Sequence, residues 1–142
     1  MRTMNLLATV FALALLMCTV AARAEDAIKA VYHLPDERLA TLAMNNINNH
    51  LAADPGVKIV VVALSTGVRP FTFGAQDAGG RPYADWVDQL TAKGVEFRIC
   101  QNSMNALKLT KSDLIDKVVV VPSGVAEVAR LQAREGFVYI HP

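Results

Sequence analysis

Cysteine is almost absent from this chain: 142 residues hold two, Cys18 and Cys100. They form no Cys-x-x-Cys pair, so the dithiol redox chemistry of thioredoxin-like proteins has no support. Three scattered histidines, His33, His50 and His141, add no zinc-ligand spacing, and no metal site is expected. Runs of Lys and Arg are missing too. Fourteen basic residues stand against 13 acidic ones, a formal net charge of +1, which leaves no electrostatic footprint for nucleic acid. The glycine pattern of a dinucleotide fingerprint, the Lys-Ser/Thr of a phosphate loop and the Gly-x-Ser-x-Gly of a nucleophile elbow are all lacking. Nucleotide-dependent and serine-hydrolase chemistry therefore have little to build on.

Long apolar runs occur once, at the N-terminus. A short basic start, Met1 to Asn5, precedes the apolar stretch Leu6 to Val20, and Ala22-Arg23-Ala24 supplies a small-x-small cleavage pattern. That is the three-part layout of a secretory signal peptide over residues 1–24, with an apolar core short for a membrane span. Cys18 would leave with the leader, and so would Arg2 and Arg23. Residues 25–142, one domain's length, would then carry 12 basic and 13 acidic residues. A soluble domain in an oxidising exported compartment is expected, the periplasm in a Gram-negative cell, with no membrane segment after cleavage.

What remains alternates between two periodicities. Strand-like runs are Ala27 to His33, Val57 to Leu64, Val95 to Ile99, Lys117 to Val121 and Phe137 to Ile140. Between them, Leu39, Leu42, Ala43, Ile47 and Leu51 recur at helical spacing after a Pro35-Asp36-Glu37 start. Pro82 to Lys93, Asn102 to Lys108 and Val125 to Arg134 read as further helices, and Ser65 to Gly80 as a long irregular loop. This order predicts a single three-layer α/β domain with a mainly parallel sheet of about five strands. Right-handed crossovers then align the strand C-terminal ends along one edge, where ligands of open α/β sheets bind.

That edge collects His33, Ser65-Thr66-Gly67, Cys100 and Pro122-Ser123-Gly124 from distant parts of the chain. Cys100 stands where a strand hands over to a helix, so backbone N–H groups and the helix dipole favour its thiolate, the nucleophilic form. Burial as an inert packing residue is the competing reading. Arg98, two residues earlier on the same face, is a charge partner for the thiol or a solvated charge. His33 is a base for the thiol or a locally bonded strand-end histidine, and Ser123 is an anion ligand or an ordinary helix N-cap. His50, among Asn45, Asn46, Asn48 and Asn49, reads as surface. The candidate set is Cys100 as the reactive centre, with His33, Ser65, Asn102 and Ser123 as substrate-binding residues.

Gly94-Val95-Glu96-Phe97-Arg98-Ile99-Cys100-Gln101-Asn102-Ser103-Met104 and Val118-Val119-Val120-Val121-Pro122-Ser123-Gly124-Val125-Ala126-Glu127 resemble the DsrE/DsrF-like family, in its exported, poorly characterised branch. Family relay proteins carry sulfane sulfur as a persulfide on a cysteine at the end of the third strand. The resemblance implies that role for Cys100, as a sulfurtransferase or a sulfur carrier with no cofactor. It also implies a homo-oligomer, trimer or hexamer, and a sulfur donor or acceptor protein as partner. The alternative is a non-catalytic small-ligand-binding or assembly protein of the same fold.

Overall fold

The computed structural model describes residues 27–142, so the expected leader over 1–24 lies outside the described residues. Five strands form one sheet in the order β4-β3-β2-β1-β5: β1 Lys29–Leu34, β2 Lys58–Ala63, β3 Glu96–Cys100, β4 Val118–Val121 and β5 Val138–Ile140. Every pairing is parallel, so the mainly parallel sheet of the sequence reading is parallel throughout. The helices are α1 Ala40–Ala53, α2 Tyr83–Thr91, α3 Gln101–Ala106 and α4 Gly124–Glu135.

Strand order and crossover handedness fix the layers. The chain steps from β1 through β4 in one direction, so right-handed crossovers put α1, α2 and α3 on the same face. It then returns past β1 to β5, and the same handedness puts α4 on the opposite face. The core follows this division. Ala43, Met44 and Ile47 of α1, Trp86, Val87 and Leu90 of α2 and Met104 of α3 pack with Ile59, Val61, Phe97 and Ile99 in the larger cluster. Val31, Val60 and Val62 meet Val128 and Leu131 of α4, with Phe137, in a cluster of six buried residues.

Three local departures from the sequence reading have clear causes. Asp36 caps a 3-10 turn, Glu37–Leu39, by accepting from the Arg38 N–H, so α1 begins later than the Pro35 start implied. Leu42, read as part of the α1 stripe, is exposed, because the helix turns it away from the sheet. The stretch from Ser65 is not irregular at its start: Ser65–Phe71 is a 3-10 segment with Val68 and Phe71 fully buried. Gly67 is obligatory there, since a Cβ would stand 2.1 Å from the Leu34 carbonyl oxygen. The rest of the loop is tied by Asp77, which accepts from the N–H groups of Gly79 and Arg81 and from Trp86 Nε1.

Candidate functional site

The sheet changes hands between β3 and β4. After β3 the chain turns to the three-helix face, and after β4 it turns to the face of α4. Neighbouring strands whose connections leave on opposite sides open a crevice at their C-terminal ends, the usual ligand position in open α/β sheets. Cys100 is the last residue of β3 and pairs in register with Val121, the last residue of β4. Pro122 and Ser123 follow at once, and Gly124 opens α4.

The Cys100 side chain is buried, with 4% of its surface exposed. Burial pushes the thiol pKa up. The nearby Ser103 hydroxyl and the backbone N–H groups of Gly124, Ser103 and Asn102 pull it down, and the net shift is downward. The Ser103 hydroxyl is set for this task by Ser65, whose N–H donates to Ser103 Oγ at 2.7 Å. Ser65 holds a φ of 51°, a left-handed conformation that non-glycine residues rarely adopt and that costs on the order of 1 kcal/mol. The strain falls at the residue whose N–H holds the Ser103 hydroxyl.

Gly124 is as specific as Ser103. A Cβ at this position would stand 3.1 Å from Cys100 Cβ and 3.1 Å from two atoms of Leu64. Glycine lets α4 come close enough to aim its first N–H at the sulfur. The helix is held there by charge. Arg98, on the same strand and face as Cys100, donates to Glu127 on the first turn of α4, and also lies 2.6 Å from Glu96. The Arg98 and Glu127 side chains are 17% and 12% exposed, so solvent screens the pair only partly. Hydrogen bonds from Arg130, and then from Arg98, outweigh burial and hold the Glu127 carboxyl down to about 2. Arg98 is thus a structural charge that anchors α4, and no contact between its guanidinium and the thiol is involved.

The other candidates separate. Ser65 and Asn102 reach the sulfur's surroundings through their backbones, Ser65 by way of Ser103 and Asn102 by its own N–H. Ser123 is the N-cap of α4, its Oγ accepting from the Ala126 N–H at 3.4 Å. His33 belongs elsewhere. It is in register with Val62 and Arg98, two strands from β3 and two residues short of Cys100, which puts the two Cα atoms about 12 Å apart. Its Nδ1 lies 2.7 Å from the Tyr139 hydroxyl, and its ring meets His141 edge-on at 6.4 Å. Burial and the His141 charge lower its pKa. His50, read as surface, is half-buried and stands 3.0 Å from the Tyr32 hydroxyl. Ser103 was missed as a site residue. Its signal was position: three residues past Cys100, one turn into the helix that the cysteine caps.

Among the described residues, no three His, Cys, Asp or Glu side chains cluster to hold a metal ion, and no helix is long and apolar enough to cross a membrane.

The site and topology define a small α/β protein with a buried free thiol at the β3–β4 switch point. The chain belongs to the DsrE/DsrF-like family, whose pattern it matches over residues 29–142. It is similar to the structure of a protein of unknown function, MTH1491 from Methanobacterium thermoautotrophicum: 35% identity, covering 81% of this chain and 99% of that one, TM-score 0.71. The ychN protein from E. coli shares the fold at 16% identity, with 82% and 98% covered and a TM-score of 0.63. No curated protein matches.

Proposed function

We propose that Cys100 carries sulfane sulfur as a persulfide, and that the protein relays it between a donor and an acceptor in the periplasm. The observation that carries this reading is the place of Cys100 at the C-terminal end of β3, beside the Ser103 hydroxyl and the backbone N–H groups of Gly124, Ser103 and Asn102, which together pull its pKa down. They favour the thiolate needed for attack, and a persulfide anion is served by the same donors. With thiosulfate as donor, the Cys100 thiolate attacks the outer sulfur. The bond between the two sulfurs of thiosulfate breaks, its electron pair leaves on sulfite, and Cys100 keeps a terminal S⁻. An acceptor thiolate then attacks that outer sulfur and returns Cys100 as thiolate. No net oxidant is consumed and no cofactor takes part.

Oligomerisation is part of the proposal. Val119 and Val125, 55% and 68% exposed, flank the strand end that carries Cys100, an apolar surface suited to a second copy of the chain in a trimer or hexamer. Burial of the thiol sets a requirement: the Ser65 turn or the start of α4 has to give way for a donor to enter. The same burial favours a second reading, a non-catalytic ligand-binding or assembly protein in which the cysteine packs.

Intact mass after incubation with thiosulfate or polysulfide separates the two. The relay reading expects a gain of whole sulfur atoms, reversed by reductant and absent in Cys100→Ser. No adduct on a chain whose thiol is shown to be reduced leaves the second reading.

A further inference from the structure

At the opposite end of the strands from Cys100, a cleft of about 480 Å³ opens between the sheet and the C-terminal end of α4. Three lysines line it: Lys29 at the start of β1, Lys58 at the start of β2, and Lys93 from the turn before β3. Two carboxylates are also present, but both are occupied. Glu96 pairs with Arg98, and Glu135 pairs with Arg130. Through Glu127 these groups form one chain of three acids and two arginines, a net charge of −1 against three lysine cations.

Among the described residues, none of the three lysines meets a carboxylate. Lys29 donates to the Glu135 backbone carbonyl at 3.0 Å, Lys93 donates to Asn48 Oδ1 at 2.8 Å, and the Lys58 ammonium has no partner among the described residues. Lys29 and Lys58 are also direct cross-strand partners in the β1–β2 register. Like charges placed opposite each other in a sheet destabilise it. The C-terminal end of α4 relieves part of this repulsion through Lys29. Lys58 gains nothing comparable. Val60 and Phe137 give the cleft an apolar wall beside the lysines.

We infer that this cleft binds a small organic anion carrying two or more negative oxygens, carboxylate or phosphoryl, on a short apolar body. The lysines neutralise the oxygens, the Val60–Phe137 wall takes the body, and the volume falls in the range of small-molecule sites. Binding offsets the Lys29–Lys58 repulsion, so the anion stabilises the fold. Cys100 is not part of this cleft.

Titration of the full chain with citrate and with pyrophosphate, followed by calorimetry and by melting temperature, tests this. Saturable binding that weakens as salt rises is expected, with a higher melting temperature at saturation. Lys58→Glu removes a cation and the repulsion together. It is expected to melt higher than the parent without ligand, and to lose at least tenfold in affinity. Cys100→Ser is expected to bind like the parent, so failure here and failure of the sulfur-relay reading are distinguishable. Absence of saturable binding by either probe, or equal affinity in Lys58→Glu, overturns the proposal.

Discussion

Three helices cover one face of the sheet and a single helix covers the other, and the two faces are held by different forces. On the three-helix face the contact is almost wholly apolar, with the Phe71 and Phe97 rings tilted at 50° to each other, 5.5 Å between centroids, and Met44, Ile47 and Leu90 fully buried. On the α4 face a cluster of six buried residues is supplemented by the Glu96–Arg98–Glu127–Arg130–Glu135 ion pairs. An apolar core tolerates little displacement, because it is close-packed. A helix anchored by one small cluster and a charge network is easier to shift. Cys100 sits where the two regimes meet: it ends β3, and the helix whose first residue, Gly124, packs against it is the lightly anchored one. Three of the four polar groups beside the sulfur come from α3 on the three-helix face and one, the Gly124 N–H, from α4, so the thiol draws on both faces.

The contrast is broken most strongly from the thick face. Phe97→Ala is expected to cost about 3–5 kcal/mol by denaturant titration, the usual range for a buried aromatic reduced to a methyl. Leu131→Ala, in the smaller cluster on α4, is expected near the low end of its range, about 2–3 kcal/mol. Equal losses would mean that α4 is as firmly packed as the other helices.

Charge on the thin face is tested by pH. The Glu127 carboxyl is held at about 2 against an ordinary 4.5, so its ion pairs stabilise the fold above pH 4.5, and that contribution is lost as pH falls towards 2. Glu127→Gln is expected to cost about 1–3 kcal/mol at neutral pH and to show a flatter decline below pH 4.5. His33 has a lowered pKa, so the stability linked to its neutral form is complete above 6.5 and fades as pH falls below it. His33→Asn is expected to remove the part of the pH dependence just below 6.5, measured by melting temperature in the same buffers.

The smallest effect on stability falls on the thiol's own donors. Ser103→Ala is expected to leave the fold near its parent stability while slowing alkylation of Cys100 at neutral pH roughly fivefold, the equivalent of about 1 kcal/mol for a hydrogen bond to the thiolate. Gly124→Ala is expected to move the same reactivity in the same direction by pushing α4 away from the sulfur.

Much of this arrangement was legible in the sequence. The near-continuous β-branched run Val57 to Leu64 marked a strand buried on both faces, Lys117 to Val121 marked a strand that proves to be a half-exposed edge, and the alternation with helices gave the layers. Cys100 at a strand-to-helix handover was readable for the same reason. The strand order was not, because the side of β1 on which β5 pairs leaves no periodic trace. Without it, His33 and Cys100 looked like neighbours on one edge, whereas they lie two strands apart. The ties that order the Ser65–Gly80 loop were also hidden, since they depend on one aspartate, Asp77, meeting backbone groups and Trp86. The role of Ser65 through its backbone N–H has no side-chain signature at all.

The most direct test of the central claim is the titration of Cys100 itself, read as the pH profile of its alkylation by iodoacetamide in the intact protein. The account predicts a midpoint below that of a free cysteine, moving upward in Ser103→Ala. A midpoint at or above the free-thiol value, unmoved by Ser103→Ala, would show that burial outweighs the hydrogen bonds and that the fold does not prepare this sulfur for attack.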